Sequence, residues 1–158
     1  MKFYSLFFLL FINSVVAQSK LPNLSISKLN NEKINLNETY NETDKIYVFS
    51  FWATWCAPCI EELNALNEVY DAWKKELSLE IIAVSTDDSR TQKRVKPLLN
   101  GKGWSFDVLL DTNQDLKRAL GIINIPYTIV VKNGEIVHIQ NGFTPGAEDE
   151  LHTKLLEL

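Results

Sequence analysis

The chain of 158 residues contains two cysteines, Cys56 and Cys59, separated by Ala57-Pro58. An apolar run from Ile46 to Trp52 leads into them. Behind them Ile60, Leu63, Leu66, Val69, Tyr70, Trp73 and Leu77 recur at steps of three and four, which predicts a helix from Cys59 to about Glu76. The pair therefore sits where a buried strand turns into a helix. A helix N-terminus presents unpaired N–H groups and a partial positive charge, and both favour a thiolate over a thiol. A cysteine so placed can have its pKa drawn from about 8.5 into the range of roughly 3.5–7.5. Two intervening residues in a first helical turn leave the sulfurs close enough to bond. The pattern is that of a dithiol/disulfide exchange site, with Cys56 the exposed nucleophile and Cys59, one turn inside, the resolving thiol.

Three other uses of a cysteine pair fit less well. Buried cysteines acting as small hydrophobes need neither the proline nor the strand-to-helix junction. A structural zinc site needs four ligands, and the only histidines, His138 and His152, fall on different predicted elements. An inert bridge usually staples distant segments, whereas closing a two-residue loop removes little unfolded-state entropy. No metal and no cofactor is called for.

The beginning of the chain bears on the compartment. Lys2, the apolar stretch Phe3 to Ile12 and the small-residue end Val15-Val16-Ala17 form the pattern of a secretory signal peptide over residues 1–17. The apolar core is short for a membrane span of about 20 residues, and an uncleaved N-terminal membrane anchor is the alternative. Cleavage near Ala17 leaves residues 18–158 as one domain of ordinary size, soluble and extracytoplasmic. The formal net charge of −4 gives no reason to expect nucleic acid as a partner.

The remaining chain reads as alternating strands and helices. Leu24-Ser25-Ile26 and Ile34-Asn35-Leu36 predict a β-hairpin around Asn30-Asn31. Asn23, Asn37 and Asn41 stand in Asn-x-Ser/Thr sequons, which an Asn-rich stretch produces by chance. Leu79 to Ser85 is a second buried strand, so the segment 46–85 is a βαβ unit with parallel strands. Asp87-Asp88-Ser89 offer caps for a helix to about Asn100, which Pro97 must bend or end early. Trp104 to Leu110 is a third strand, and Asp111-Thr112 cap a short helix from Asn113 to Leu120, closed by Gly121. Tyr127 to Val131 and Ile136 to Gln140 flank Asn133-Gly134, a strong hairpin signal. A last helix runs from Ala147 to Leu158. The fold class is α/β, a mixed sheet with helices on both faces.

Phe51-Trp52-Ala53-Thr54-Trp55-Cys56-Ala57-Pro58-Cys59, followed by Glu62, resembles the active-site segment of thioredoxin-fold proteins. More narrowly, it resembles the extracytoplasmic TlpA/ResA group of thiol:disulfide oxidoreductases. The element order matches over nearly the whole of 18–158, including an inserted helix-strand segment at about 89–110. Ile125-Pro126 matches the cis-proline loop that lies against the cysteines in that fold. The resemblance implies a redox-active Cys56–Cys59 disulfide, and a backbone at Ile125 beside Pro126 that pairs with an extended partner strand. It also implies that Trp55 covers the exposed sulfur and contacts the partner. Glu62, one helical turn below Cys59, would take the proton of Cys59 and shift both thiol pKa values. Implied partners are disulfide-containing exported proteins and a membrane thiol-electron donor, with the periplasm as the compartment and cytochrome c maturation as one role.

The chain departs from the pattern in two places. Thioredoxin carries a buried Asp on the strand before the motif, where this chain has Ser50, so Glu62 is left as the carboxylate. Ala57-Pro58 offers no charge to stabilise a thiolate, which favours a reductant over an oxidant. Two other functions compete. A thiol peroxidase of the peroxiredoxin type places Thr three residues before the reactive cysteine, and here that residue is Ala53. A non-catalytic binding module would hold extended peptides at Ile125 without using the cysteines.

Overall fold

A computed structural model describes residues 20–158. The expected signal peptide, residues 1–17, lies outside the described residues. Ile46–Trp52 (β3) is apolar at nearly every position because it runs through the middle of the sheet, covered on both faces, and all seven residues are buried. It pairs in parallel with Leu79–Ser85 (β4), as a βαβ unit must, through the connecting helix Ala57–Glu76 (α2). On its other edge lies the antiparallel strand Tyr127–Lys132 (β6), followed by Glu135–Asn141 (β7). Asp107–Leu110 (β5) continues the parallel part beyond β4. The hairpin Ser25–Lys28 (β1) and Lys33–Asn35 (β2) closes that side, for a seven-stranded order β2-β1-β5-β4-β3-β6-β7. The mixed sheet of a thioredoxin-like fold is therefore what the residues build.

Side-chain alternation sorts the core into two layers. Ile46, Val48 and Trp52 of β3 face Leu63, Leu66, Tyr70 and Trp73 of α2, together with Leu151 and Leu155 of the last helix, Ala147–Leu156 (α5). Tyr47, Phe49 and Phe51 point the other way. They meet Leu36 of the short helix Leu36–Thr39 (α1) and Leu116 of Asp115–Ala119 (α4). Ser50 shares the parity of Val48 and Trp52, so it faces α2. Asn133-Gly134 make the β6–β7 turn with φ of 54° and 76°, the paired left-handed conformation that Asn-Gly suits.

The segment after β4 differs from the sequence expectation. Helix does not begin at the Asp87-Asp88-Ser89 caps. Asp88 instead closes a tight turn, accepting from the Arg90 N–H, and a 3₁₀ turn at Gln92–Arg94 leads into Val95–Lys102 (α3). Pro97 is the third residue of α3, where an N–H has no intrahelical acceptor, so it starts the helix without bending it. Gly101 and Lys102 continue the helix, and Gly103 ends it at φ 66°. Trp104 to Phe106 is not strand: the Trp104 indole N–H and the Ser105 backbone N–H donate to Asn64 and Asn67 of α2, which fasten the inserted segment to the helix. Asp111 caps α4 by accepting from Leu116 and Lys117 N–H, so that helix begins later than Asn113. Among the described residues, no helix is long and apolar enough to cross a membrane.

Candidate active site

β3 ends at Trp52 and a turn closes from Cys56 N–H to Ala53 C=O at 3.0 Å. That turn delivers Cys56 to the N-cap of α2 in an extended conformation, with Pro58 in the first turn. No acidic residue lies in the first turn, so the positive end of the helix is left uncompensated. Cys56 and Cys59 are joined in a disulfide with Cα atoms 5.3 Å apart. The exposed Cys56 of the sequence expectation is only 6% exposed, because its sulfur is bonded to that of the fully buried Cys59. Trp55, at 61%, is the exposed side chain of the turn.

Glu62 is 2% exposed, and the sheet beneath it supplies two donors. Ser50 Oγ donates to Oε2 at 2.7 Å and Thr128 Oγ1 to Oε1 at 3.0 Å. Burial pushes the carboxyl above its usual range, while the two hydroxyls pull it back. The Ile125–Pro126 bond is cis, in the place the resemblance implies. Ile125 packs against the core cluster that contains Trp52, Cys56 and Cys59. Neither its N–H nor its C=O has a backbone partner among the described residues. The structure thus brings Cys56, Cys59, Glu62 and Ile125-Pro126 together at one end of the sheet.

Asp87 was legible only as a helix cap and does something else. It is 1% exposed and accepts three bonds: from Thr54 N–H at 2.8 Å, Thr54 Oγ1 at 2.6 Å and Ser85 Oγ at 3.0 Å. Thr86 donates twice to Trp52 C=O, through its N–H and its hydroxyl. The chain leaving β4 therefore holds the turn leaving β3. The signal was the polar Ser85-Thr86-Asp87 directly after a buried parallel strand, at the sheet end where the neighbouring strand turns. Thr128 gave no signal, since nothing local relates it to Glu62.

The family model described as the AhpC/TSA family matches residues 17–139. The chain belongs to the AhpC/TSA family. Within that family it is similar to the thiol-disulfide oxidoreductase ResA of Bacillus thuringiensis (strain Al Hakam), at 33% identity over 117 residues. The match covers 73% of this chain and 64% of that protein, so the chain spans less than two thirds of its length. A solved thioredoxin-like protein from Porphyromonas gingivalis is 41% identical, with a TM-score of 0.77 over 87% of this chain and 90% of that one. A putative thiol:disulfide interchange protein DsbE from Chlorobium tepidum has the same fold, with a TM-score of 0.76 at 21% identity over 89% of this chain and 95% of that one. Membership of the AhpC/TSA family alone does not separate a peroxidase from a disulfide reductase. The residue that bears on this is Ala53, which stands three residues before Cys56, where the sequence expectation puts Thr in a peroxidase.

Proposed function

We propose that this chain is a thiol:disulfide oxidoreductase that reduces disulfides in exported proteins. The observation that carries the reading is the Cys56–Cys59 disulfide at the start of α2, with the buried carboxylate of Glu62 one turn below it. The Cys56 thiolate attacks a substrate disulfide, forming a mixed disulfide and releasing one substrate thiolate. Cys59 gives its proton to Glu62 and attacks the Cys56 sulfur, releasing the second substrate thiolate. The substrate gains two electrons, and the Cys56–Cys59 bond forms. A thiol-electron donor in the membrane then returns the pair to the dithiol. The substrate lies as an added strand along Ile125, with Trp55 against its flank.

The compartment that suits this chemistry is extracytoplasmic, the periplasm, reached by cleavage near Ala17. One role consistent with the chemistry is keeping cytochrome c thiols reduced for haem attachment. The ResA name of relatives supports the reductase over a peroxidase, as does Ala53 in place of the peroxidase threonine.

Replacing Cys59 with Ala should trap mixed disulfides with partner proteins, while Cys56→Ala should trap almost none. The opposite trapping pattern overturns the assignment of attacking and resolving thiols. Consumption of hydrogen peroxide faster than reduction of a protein disulfide would instead establish a peroxidase.

A further inference from the structure

Among the described residues, Glu62 has no cationic partner. Its surroundings can be taken element by element. β3 presents Ser50, and β6 presents Thr128, the residue directly opposite Ser50 in the ladder. On the other side of Ser50, β4 presents Ala83. Along α2 itself the neighbours are the apolar Leu63 and Leu66 and the titratable Cys59, which is tied up in the disulfide. On α5 the titratable His152 is stacked on Trp73 and bonded to Glu76, at the far end of α2. Among the described residues, burial and two hydroxyls, one on each carboxylate oxygen, govern the proton affinity of Glu62, and no charged side chain adds to them.

We propose that Ser50 and Thr128 are positioning residues that set the pH at which Glu62 binds and releases its proton. The inference rests on the reading of Glu62 as the base for Cys59 and deepens it. A hydroxyl can donate or accept. When Glu62 is ionised, both hydroxyls donate and both carboxylate oxygens are satisfied. When Glu62 takes a proton, one hydroxyl must turn to accept from the new O–H, and its donation is lost. Proton uptake is thereby resisted by a defined pair of bonds while the heavy atoms stay in place. The strand position Ser50, which lacks a carboxylate of its own, supplies a donor to the carboxylate of the helix. With both hydroxyls absent, burial alone governs Glu62, which then stays protonated to higher pH and cannot receive the Cys59 proton near neutrality.

The test uses the full chain with Ser50→Ala, Thr128→Val and the double replacement, with Ser50→Thr and Thr128→Ser as variants that keep the hydroxyl. Carboxyl-carbon NMR of the oxidised protein follows Glu62 directly, with Glu62→Gln identifying its signal and no free thiol to interfere. Each loss of a hydroxyl should raise the midpoint, weakening proton release by about tenfold, as expected for a bond to a charged acceptor. The double replacement should move it further, and the hydroxyl-keeping variants should stay near the parent. The rising limb of the rate–pH profile should follow the same order. Midpoints unmoved in the double variant, with thermal stability lowered, would reduce the two hydroxyls to packing and overturn the inference. Shifted midpoints together with an unchanged reduction rate in Glu62→Gln would refute the base role while leaving the effect of Ser50 and Thr128 on Glu62 standing.

Discussion

Replacing Asp87 with Ala tests whether the chain leaving β4 positions the reactive turn. The substitution removes three hydrogen bonds to a buried carboxylate, from Thr54 N–H, Thr54 Oγ1 and Ser85 Oγ. Bonds to a charged group contribute about 1.5–3 kcal/mol each, and removing a buried charge returns several kcal/mol of desolvation. A net loss of about 2–4 kcal/mol follows, or a fall in Tm of roughly 5–15 °C for a chain of this size. Thr54 lies within the turn from Ala53 to Cys56, so the attacking sulfur loses its fixed approach and disulfide reduction should slow on the order of tenfold. Asp87→Asn keeps the volume and an oxygen for Thr54 N–H, while its NH₂ can donate to a reversed Thr54 hydroxyl. It should cost only about 1 kcal/mol. Thr54→Val removes the hydroxyl bond and leaves the backbone bond, so its rate should stay close to the parent. The assays are thermal unfolding and reduction of a model protein disulfide on the same preparations. A Tm lowered as stated, with a rate within about twofold of the parent, would confine Asp87 to stability and refute the positioning argument.

Two further outcomes follow from the structure. The folded carboxyl of Glu62 binds its proton more tightly than the unfolded one, so its contribution is fully present below the unfolded value of 4.5 and is lost as pH rises through the folded value. Glu62→Gln should therefore gain stability relative to the parent as pH rises above 4.5; thermal unfolding at rising pH showing a constant or shrinking difference would contradict the shift. Gly134 sits at φ 76°, so Gly134→Ala should destabilise the β6–β7 hairpin by about 1 kcal/mol, read as a lower denaturant midpoint with an unchanged slope. An unchanged midpoint would mean that the turn relaxes at no cost.

Local signals carried most of the architecture. The cysteine pair, the long helix behind it, the parallel β3 and β4 and the Asn133-Gly134 hairpin are each written in a few adjacent residues, and each stands where the spacing put it. What the sequence withheld depends on contacts between segments. Pro97 reads as a breaker because its local chemistry does not say whether it falls in the interior or the first turn of a helix. Leu36–Thr39 is a single turn of helix held by the Asn35 side chain, too short to show any periodicity. Asp87 and Thr128 are polar residues at strand ends and interiors whose partners lie 33 and 66 positions away. Glu62 was legible by its helical offset from Cys59, but the hydroxyls that hold it were not.

The β3 edge that receives β6 is completed only by the last third of the chain. Both cysteines, Ser50, Glu62 and Asp87 lie before residue 90, whereas Pro126 and Thr128 come with β6, which pairs with the free side of β3. A chain made only as far as β5 already contains the βαβ unit and its dithiol. It lacks Ile125, which packs on the core cluster containing the cysteines, and the second donor to Glu62, and it lacks the strand that pairs with the free edge of β3. Docking of the last hairpin therefore completes the surroundings of the cysteines: the cis-proline loop, the Thr128 hydroxyl and the cover of the free β3 edge arrive together.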